Sequence, residues 1–110
     1  MTGVSANNYL VVMVTVGSAE EAAALARTLV EERLAACGNI VERIRSIYRW
    51  KGKIEDEGEA LIVLKTTAAR FDALRARIVQ LHSYEVPEVI AFEMAGGHKP
   101  YLDWIDSNTA

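Results

Sequence analysis

Two short apolar runs, residues 9–14 and 60–64, constrain the fold of this chain more than any other feature. Successive residues of a strand point to opposite faces of a sheet, so an unbroken apolar run is apolar on both faces. Such strands are typical of the interior of a sheet that is covered on both sides. Both runs are far shorter than the ~20 residues that a membrane-spanning helix needs. We therefore expect a sheet with two buried strands, the first at residues 9–16, and no membrane association.

Amphipathic segments follow both strands. Ser18 and Glu21 have the spacing of a capping box, and Gly38 is predicted to end the helix that they begin. Its buried positions recur at helical spacing: Ala22, Leu25, Ala26, Leu29 and Val30. Thr67 is the predicted N-cap of a second helix. The buried stripe of that helix is predicted to comprise Phe71, Leu74, Ile78 and Leu81.

A long hairpin is predicted between the two helices. Residues 39–50 form its first strand, Lys51 and Gly52 its turn, and residues 54–59 the beginning of its second strand. One set of alternating positions is mainly apolar and aromatic: Ile40, Ile44, Ser46, Tyr48 and Trp50. The other set is mainly basic: Arg43, Arg45, Ile47 and Arg49. The acids of residues 54–59 are expected to pair across the hairpin with these arginines.

The order of elements indicates the architecture. Residues 89–94 read as a fourth strand, and Pro100 stands near the start of a short last helix. Two β–α–β units with both helices on one face predict an α+β, ferredoxin-like sandwich over residues 9–110, preceded by a flexible tail at 1–8. The helices leave the second face of an apolar sheet uncovered. Further copies of the chain are expected to cover that face.

Composition and missing motifs exclude several functions. Twelve basic residues against 15 acidic ones do not supply the basic face that nucleic-acid binding requires. The first loop has no C-x-x-C pair, and no phosphate-binding glycine motif or nucleophile–base pair is evident. We therefore expect a binding or assembly protein and not an enzyme. The single cysteine, Cys37, fits a reducing compartment, which predicts a cytoplasmic location.

Four residues are candidate metal ligands, each with a simpler alternative. Cys37 is predicted at the end of the first helix, either as a small buried residue or as a soft ligand. His82, at the end of the second helix, is either favoured by the helix dipole or is a ligand. Glu59 and Glu88 flank the third and fourth strands, where they are either solvated charges or ligands.

Five motifs in order resemble those of the divalent-cation tolerance (CutA) family. They are residues 34–40 (LAACGNI), 48–53 (YRWKGK), 64–67 (LKTT), 82–88 (HSYEVPE) and 101–104 (YLDW). The resemblance runs from about residue 9 to residue 106. Two positions depart from the family pattern: Ser83 stands where proline is usual, and Gly38 replaces a small apolar residue.

The resemblance implies a compact homotrimer related to PII-type signalling proteins, with clefts between subunits. It implies binding of Cu²⁺ or another divalent cation, with no tightly bound cofactor. His82, Cys37, Glu59 and Glu88 are then the predicted ligands, some of them contributed by a second subunit. An alternative is a PII-like sensor of a small anionic metabolite, with Lys65, Arg49, Trp50 and Tyr84 lining the cleft beside Tyr48. A third is a trimeric scaffold for a partner protein.

Overall fold

The computed structural model describes residues 8–110, so that the predicted tail, except for Asn8, lies outside the described residues. The elements are β1 (Tyr9–Val16), α1 (Ala19–Glu31), β2 (Cys37–Trp50), β3 (Lys53–Thr67), a 3-10 turn (Ala68–Arg70), α2 (Phe71–Leu81), β4 (Ile90–Glu93) and α3 (Lys99–Asn108). The predicted α+β class and βαββαβ order are confirmed. Among residues 8–110, no helix is both long and apolar enough to cross a membrane.

The sheet has the strand order β2-β3-β1-β4, and all neighbouring strands are antiparallel. The two apolar runs of the sequence are therefore its two central strands, as predicted. α1 and α2 pack against one face, where the side chains at even positions of β1 and β3 are buried. The main core comprises Val12, Val14, Ile62 and Leu64 from the sheet, with Leu25, Leu29, Leu74 and Ile78 from the helices.

The opposite face of the sheet is also apolar, and the helices α1 and α2 do not reach it. Met13 pairs with Val63 on one side and with Ile90 on the other, and Val11 pairs with Phe92. Ile90 and Phe92 are 44% and 52% exposed. We call this surface the open face: Val11, Met13, Leu61, Val63, Ile90 and Phe92.

α3 covers one end of the open face. Leu102 and Ile105 pack against Tyr9 and Ala36 in a second, smaller core. The Tyr9 hydroxyl donates a hydrogen bond to Asp106 on α3, which ties the first strand to the last helix. Burial, and then the hydrogen bond to Asp106, raises the pKa of Tyr9 to about 12.

This raised pKa predicts a loss of stability at alkaline pH. The stabilisation is fully present below the ordinary tyrosine pKa of 10.0 and is lost as the pH rises towards about 12. Tyr9→Phe cannot ionise, so the difference in unfolding free energy between the wild type and Tyr9→Phe should shrink above pH 10. Chemical denaturation of both proteins from pH 8 to 11 measures it. A constant difference would contradict the account.

A β-bulge changes which face the hairpin residues occupy. Val41 lies opposite Leu61, but Ile44 lies opposite Glu59, so that one extra residue is accommodated in β2. Ile40 therefore faces α1 and α2, whereas Ile44 faces the other side of the sheet. The prediction that Ile40 and Ile44 share a face was wrong, because strict alternation does not survive a bulge.

The turn of the hairpin is confirmed at Lys51 and Gly52, whose φ angles of 50° and 81° are both positive. This is the pattern of the two-residue turns that match the twist of paired strands. Beyond the bulge, the hairpin extends as a two-stranded arm. Arg45 makes the predicted cross-strand pair, with two hydrogen bonds to Asp56 at 2.8 and 2.7 Å. Within residues 8–110, Arg43 and Arg49 form no ion pair with the acids of the arm.

α1 ends at Glu31 and not at Gly38. Arg33 adopts a left-handed φ of 60°, and the N–H of Leu34 returns to the carbonyl of Leu29. A residue other than glycine thus adopts the left-handed conformation that ends the helix, so Gly38, the first glycine after it, does not mark the helix end. Cys37 consequently begins β2 instead of ending α1, which corrects its predicted position.

The start and the end of α2 also differ from the prediction. Thr67 makes no side-chain capping bond and precedes the 3-10 turn instead of α2. Leu81, predicted to be buried, is 42% exposed, whereas the next residue, His82, is only 9% exposed. The helix ends between them and the chain becomes extended at His82, so the helical period no longer determines which side chain is buried. Val30, near the end of α1, is likewise exposed.

Gly38 allows α1 to lie close to the sheet. A Cβ atom at this position would lie 3.0 Å from Leu64 Cδ2 and 3.1 Å from Ala26 Cβ. Larger side chains would have to displace the helix or distort the core.

We expect Gly38→Val to lower the free energy of unfolding by about 1–3 kcal/mol through overpacking. Gly96→Val is the matched control, because a Cβ there has no atom within 4 Å. Chemical denaturation compares the two variants. Equal stabilities would show that α1 moves away from the sheet at no cost.

Candidate functional site

A cavity of about 700 Å³ lies between the hairpin arm and the loop that follows α2. Two kinds of side chain dominate its wall. The aromatic ones are Tyr48, Trp50 and Tyr84, and the acidic ones are Glu57, Glu59, Glu85 and Glu88. Thr15, Arg45, Ser46, Ile47 and Val86 complete the lining.

The β-bulge determines which arm residues face this cavity. Because Ile44 pairs with Glu59 and Ser46 with Glu57, the alternating residues from Ile44 to Trp50 share a face with Glu57 and Glu59. Tyr48 and Trp50 therefore lie on the same face of the arm as the two carboxylates. Without the extra residue in β2, the same aromatic rings would lie on the opposite face.

Two tyrosines donate hydrogen bonds to two of the glutamates. The Tyr84 hydroxyl lies 2.6 Å from Glu59 Oε2, and the Tyr48 hydroxyl lies 3.1 Å from Glu57 Oε2. Burial, and then the hydrogen bond to the neighbouring carboxylate, raises the pKa of both phenols. Both tyrosines therefore stay neutral at physiological pH. Glu59 is only 8% exposed, so Tyr84 partners a carboxylate that has little contact with water.

His82 lies behind Tyr84 and holds the loop in place. The backbone N–H of Tyr84 donates to His82 Nδ1 at 3.0 Å. The proton of a neutral imidazole must then be on Nε2, which lies 2.7 Å from the carbonyl oxygen of Thr15 and donates to it. The rings of His82 and Tyr84 lie 4.6 Å apart. Both nitrogens of His82 are thus engaged, and either would have to give up its hydrogen bond to reach a metal ion.

Ser83 fixes the same loop from the other side. Its hydroxyl donates to Glu21 Oε2 at 2.9 Å, and Glu21 belongs to the first turn of α1. Ser83 occupies the position at which the sequence resemblance led us to expect proline. A side-chain hydrogen bond here connects the loop to α1, which a proline could not do.

The structure brings together some of the residues that the sequence singled out. Glu59, Glu88, Tyr48, Trp50 and Tyr84 line one cavity. Of the aromatic and acidic lining, Glu57 and Glu85 were missed. The alternation of Glu57 with Glu59 could have revealed the first, because residues two apart on a strand share a face.

Cys37 and Lys65 lie elsewhere. They pair with each other six residues along β3 from Glu59, which corresponds to about 20 Å of strand. Cys37 Sγ lies 3.7 Å from the hydroxyl of Tyr101 on α3, and Lys65 Nζ donates to Asn39. One ion bound within a single chain therefore cannot contact both Cys37 and Glu59. Arg49 is also absent from the lining of the cavity.

The cavity is strongly acidic. Against the four glutamates stands Arg45, whose guanidinium is already paired in bidentate fashion with Asp56. Such a wall attracts cations and repels anions. Within residues 8–110, no group of three or more His, Cys, Asp or Glu side chains is arranged to hold a metal ion. A metal in the cavity would therefore use one or two carboxylates of this chain, completed by water or by another subunit.

Comparison with known proteins identifies the family. The family profile described as "CutA1 divalent ion tolerance protein" matches residues 10–108. The chain belongs to the CutA divalent-ion tolerance family. The divalent-cation tolerance protein CutA of Thermus thermophilus is 50% identical over 99 residues, which cover 90% of this chain and 96% of that protein. A chloroplastic CutA 1 of Oryza sativa is 43% identical over 91% of this chain but only 56% of its own length.

A solved CutA structure has the same fold. The divalent cation tolerance protein from Thermus thermophilus superposes with a TM-score of 0.90 at 48% identity, covering 93% of this chain and 99% of that one. The match includes the four-stranded antiparallel sheet and the helices described above. CutA membership is thus supported by both sequence and fold.

The two hydrogen bonds of His82 make a testable contribution to stability. We expect His82→Ala to lower the unfolding free energy by about 1–3 kcal/mol, because the Thr15 carbonyl and the Tyr84 N–H lose their partner. His98→Ala is the control, since His98 is exposed and makes no capping bond with its side chain. Chemical denaturation compares them, and equal stabilities would contradict the structural role of His82.

Proposed function

We propose that this CutA-family chain is a homotrimeric divalent-cation tolerance protein that binds metal ions in or near an intersubunit cleft. The observation that carries the proposal is the cavity with four glutamates, whose one lining arginine is engaged by Asp56. We propose that the protein acts by binding and not by catalysis. Its location is proposed to be cytoplasmic.

The open face supports the trimer. Its apolar side chains extend across three strands, and α3 covers one end only. Copies of the chain related by a closed symmetry axis would bury these side chains without leaving a new edge exposed. The arm extends beyond the core and could lie against a neighbouring copy, as in the PII-like arrangement that the family resemblance implies. A partner would then border the cavity.

The donor atoms that this chain offers in the cavity indicate which metal ions it would favour. Carboxylate oxygens suit hard cations such as Mg²⁺ and Mn²⁺, whereas copper favours nitrogen and sulfur donors. His82 has both nitrogens engaged, and Cys37 lies far along the strand from the cavity. Cu²⁺ binding, which the family resemblance implies, is therefore proposed to require a donor from a second subunit. Glu59 and Glu88 are the proposed ligands from this chain.

The alternative of an anionic metabolite sensor receives less support. It needs basic groups in the cleft, and neither Arg49 nor Lys65 lines the cavity. The four glutamates would oppose an anion electrostatically. We therefore favour a cation as the ligand.

Native mass spectrometry of the full chain with Mn²⁺, Zn²⁺ or Cu²⁺ tests assembly and binding together. We expect a trimer that takes up metal. Glu59→Gln/Glu88→Gln should weaken Mn²⁺ binding tenfold or more, because both proposed carboxylate ligands are lost. Glu31→Gln/Glu42→Gln removes the same charge from exposed positions and should bind as the wild type does.

A monomer at micromolar concentration would refute the proposed assembly. A trimer whose metal affinity is the same in both double variants would refute the proposed ligands and leave the assembly intact.

A further inference from the structure

The cavity has two properties that a bare metal ion does not use. Its volume of about 700 Å³ lies within the range of pockets that hold small organic molecules. Three aromatic rings, from Tyr48, Trp50 and Tyr84, line it together with the carboxylates. Aromatic faces attract organic ammonium ions, and carboxylates supply the opposite charge. The combination matches a cationic organic ligand.

The side chain of Lys51 already contacts one aromatic ring and one carboxylate of the cavity wall. Lys51 Nζ lies over the Trp50 ring, 5.6 Å from its centroid. The same ammonium group lies 3.6 Å from Glu85 Oε1. Trp50 and Glu85 both line the cavity, so a primary ammonium sits between an aromatic ring and a carboxylate of its wall. This contact is an observation in favour of a cationic ligand that is separate from the acidic composition of the cavity.

The residue that carries this ammonium group belongs to the turn at the tip of the arm. Lys51 occupies a left-handed position with φ of 50°, which begins the two-residue turn at the tip of the arm. Its side chain is well exposed, and within residues 8–110 its ammonium group contacts only the Trp50 ring and Glu85. A contact of this kind is weak and can be replaced by a ligand that reaches the same ring and carboxylate.

We propose that the cavity binds an organic primary ammonium ion, with Trp50 and the glutamates as the recognising groups, and that Lys51 is a tethered competitor for this site. The proposal goes beyond metal binding and does not depend on it, because Trp50 and the organic portion of the ligand play no part in holding a metal. The ligand class is an alkylamine that is protonated at neutral pH.

The experiment uses intrinsic fluorescence. The sequence contains two tryptophans, and Trp104 stacks on Tyr101 on α3, apart from the cavity. Trp104→Phe therefore leaves Trp50 as the reporter. Butylammonium is titrated into this protein in the presence of EDTA, which removes metal. Butyrate and 1-butanol are the control ligands, with the same chain length but negative or no charge. We expect a saturable change with butylammonium alone.

Lys51 provides the decisive variant. Lys51→Asn removes the ammonium group, and asparagine tolerates the left-handed conformation. We expect it to tighten butylammonium binding about three- to tenfold, since the competitor is gone. Lys99→Asn, made in the same background, removes an equal charge from α3 and should leave the affinity unchanged. Equal affinities in the two variants would overturn the role of Lys51.

The complementary test removes one of the carboxylates that are proposed to bind the ligand. Glu85→Gln, at an exposed loop position, should weaken butylammonium binding about two- to fivefold, the effect of losing one exposed ion pair. Thermal unfolding by circular dichroism checks that each variant is folded. No saturable butylammonium signal, or an equal response to 1-butanol, would overturn the proposal. Because metal is absent throughout, that failure would leave the proposal of metal binding to be decided by its own experiment.

Discussion

The pairing of β1 with β3 is the interaction on which the rest of the fold depends. Residues 9–16 lie antiparallel to residues 60–67, and each strand has apolar side chains on both faces for most of this length. One face buries its side chains under α1 and α2, which gives the chain a core of its own. The same pairing necessarily presents a second apolar face, so the residues that stabilise the isolated chain also create the surface that favours self-association.

The fold was largely predictable because its signals are local. The apolar runs, the capping box at Ser18 and the turn at Lys51 and Gly52 all appear in the structure. The errors arose where local rules compete. Arg33 adopts the left-handed angle that glycine would be expected to provide, so α1 ends earlier than Gly38 indicates. The bulge in β2 places Ile40 and Ile44 on opposite faces, and no residue type announces it.

The candidate site was predictable only in part, since it is assembled across distant segments. Glu59, Glu88 and the three aromatic residues were singled out in the sequence, but spacing could not show that Cys37 lies at the other end of the sheet. Nor could spacing reveal the chain of hydrogen bonds from Thr15 through His82 to Tyr84. That chain, with Tyr84 bonded to Glu59, connects the central strand to the cavity wall. His82 thereby supports the site through its hydrogen bonds, whereas its sequence context had left open a helix-end histidine or a metal ligand.

The bulge also bears on how such a hairpin can change in length. Past Val41, the two strands of the arm pair with each other and with no other strand among residues 8–110, and their side chains alternate between the two surfaces of the arm. Removing or adding one residue in each strand between the bulge and Tyr48 would exchange those surfaces for the tip-side residues and turn the aromatic rings away from the glutamates of the loop. A change of two residues per strand would preserve the orientation and alter only the reach of the arm. Divergence in hairpin length is therefore expected to proceed in even steps, as long as the cavity is retained.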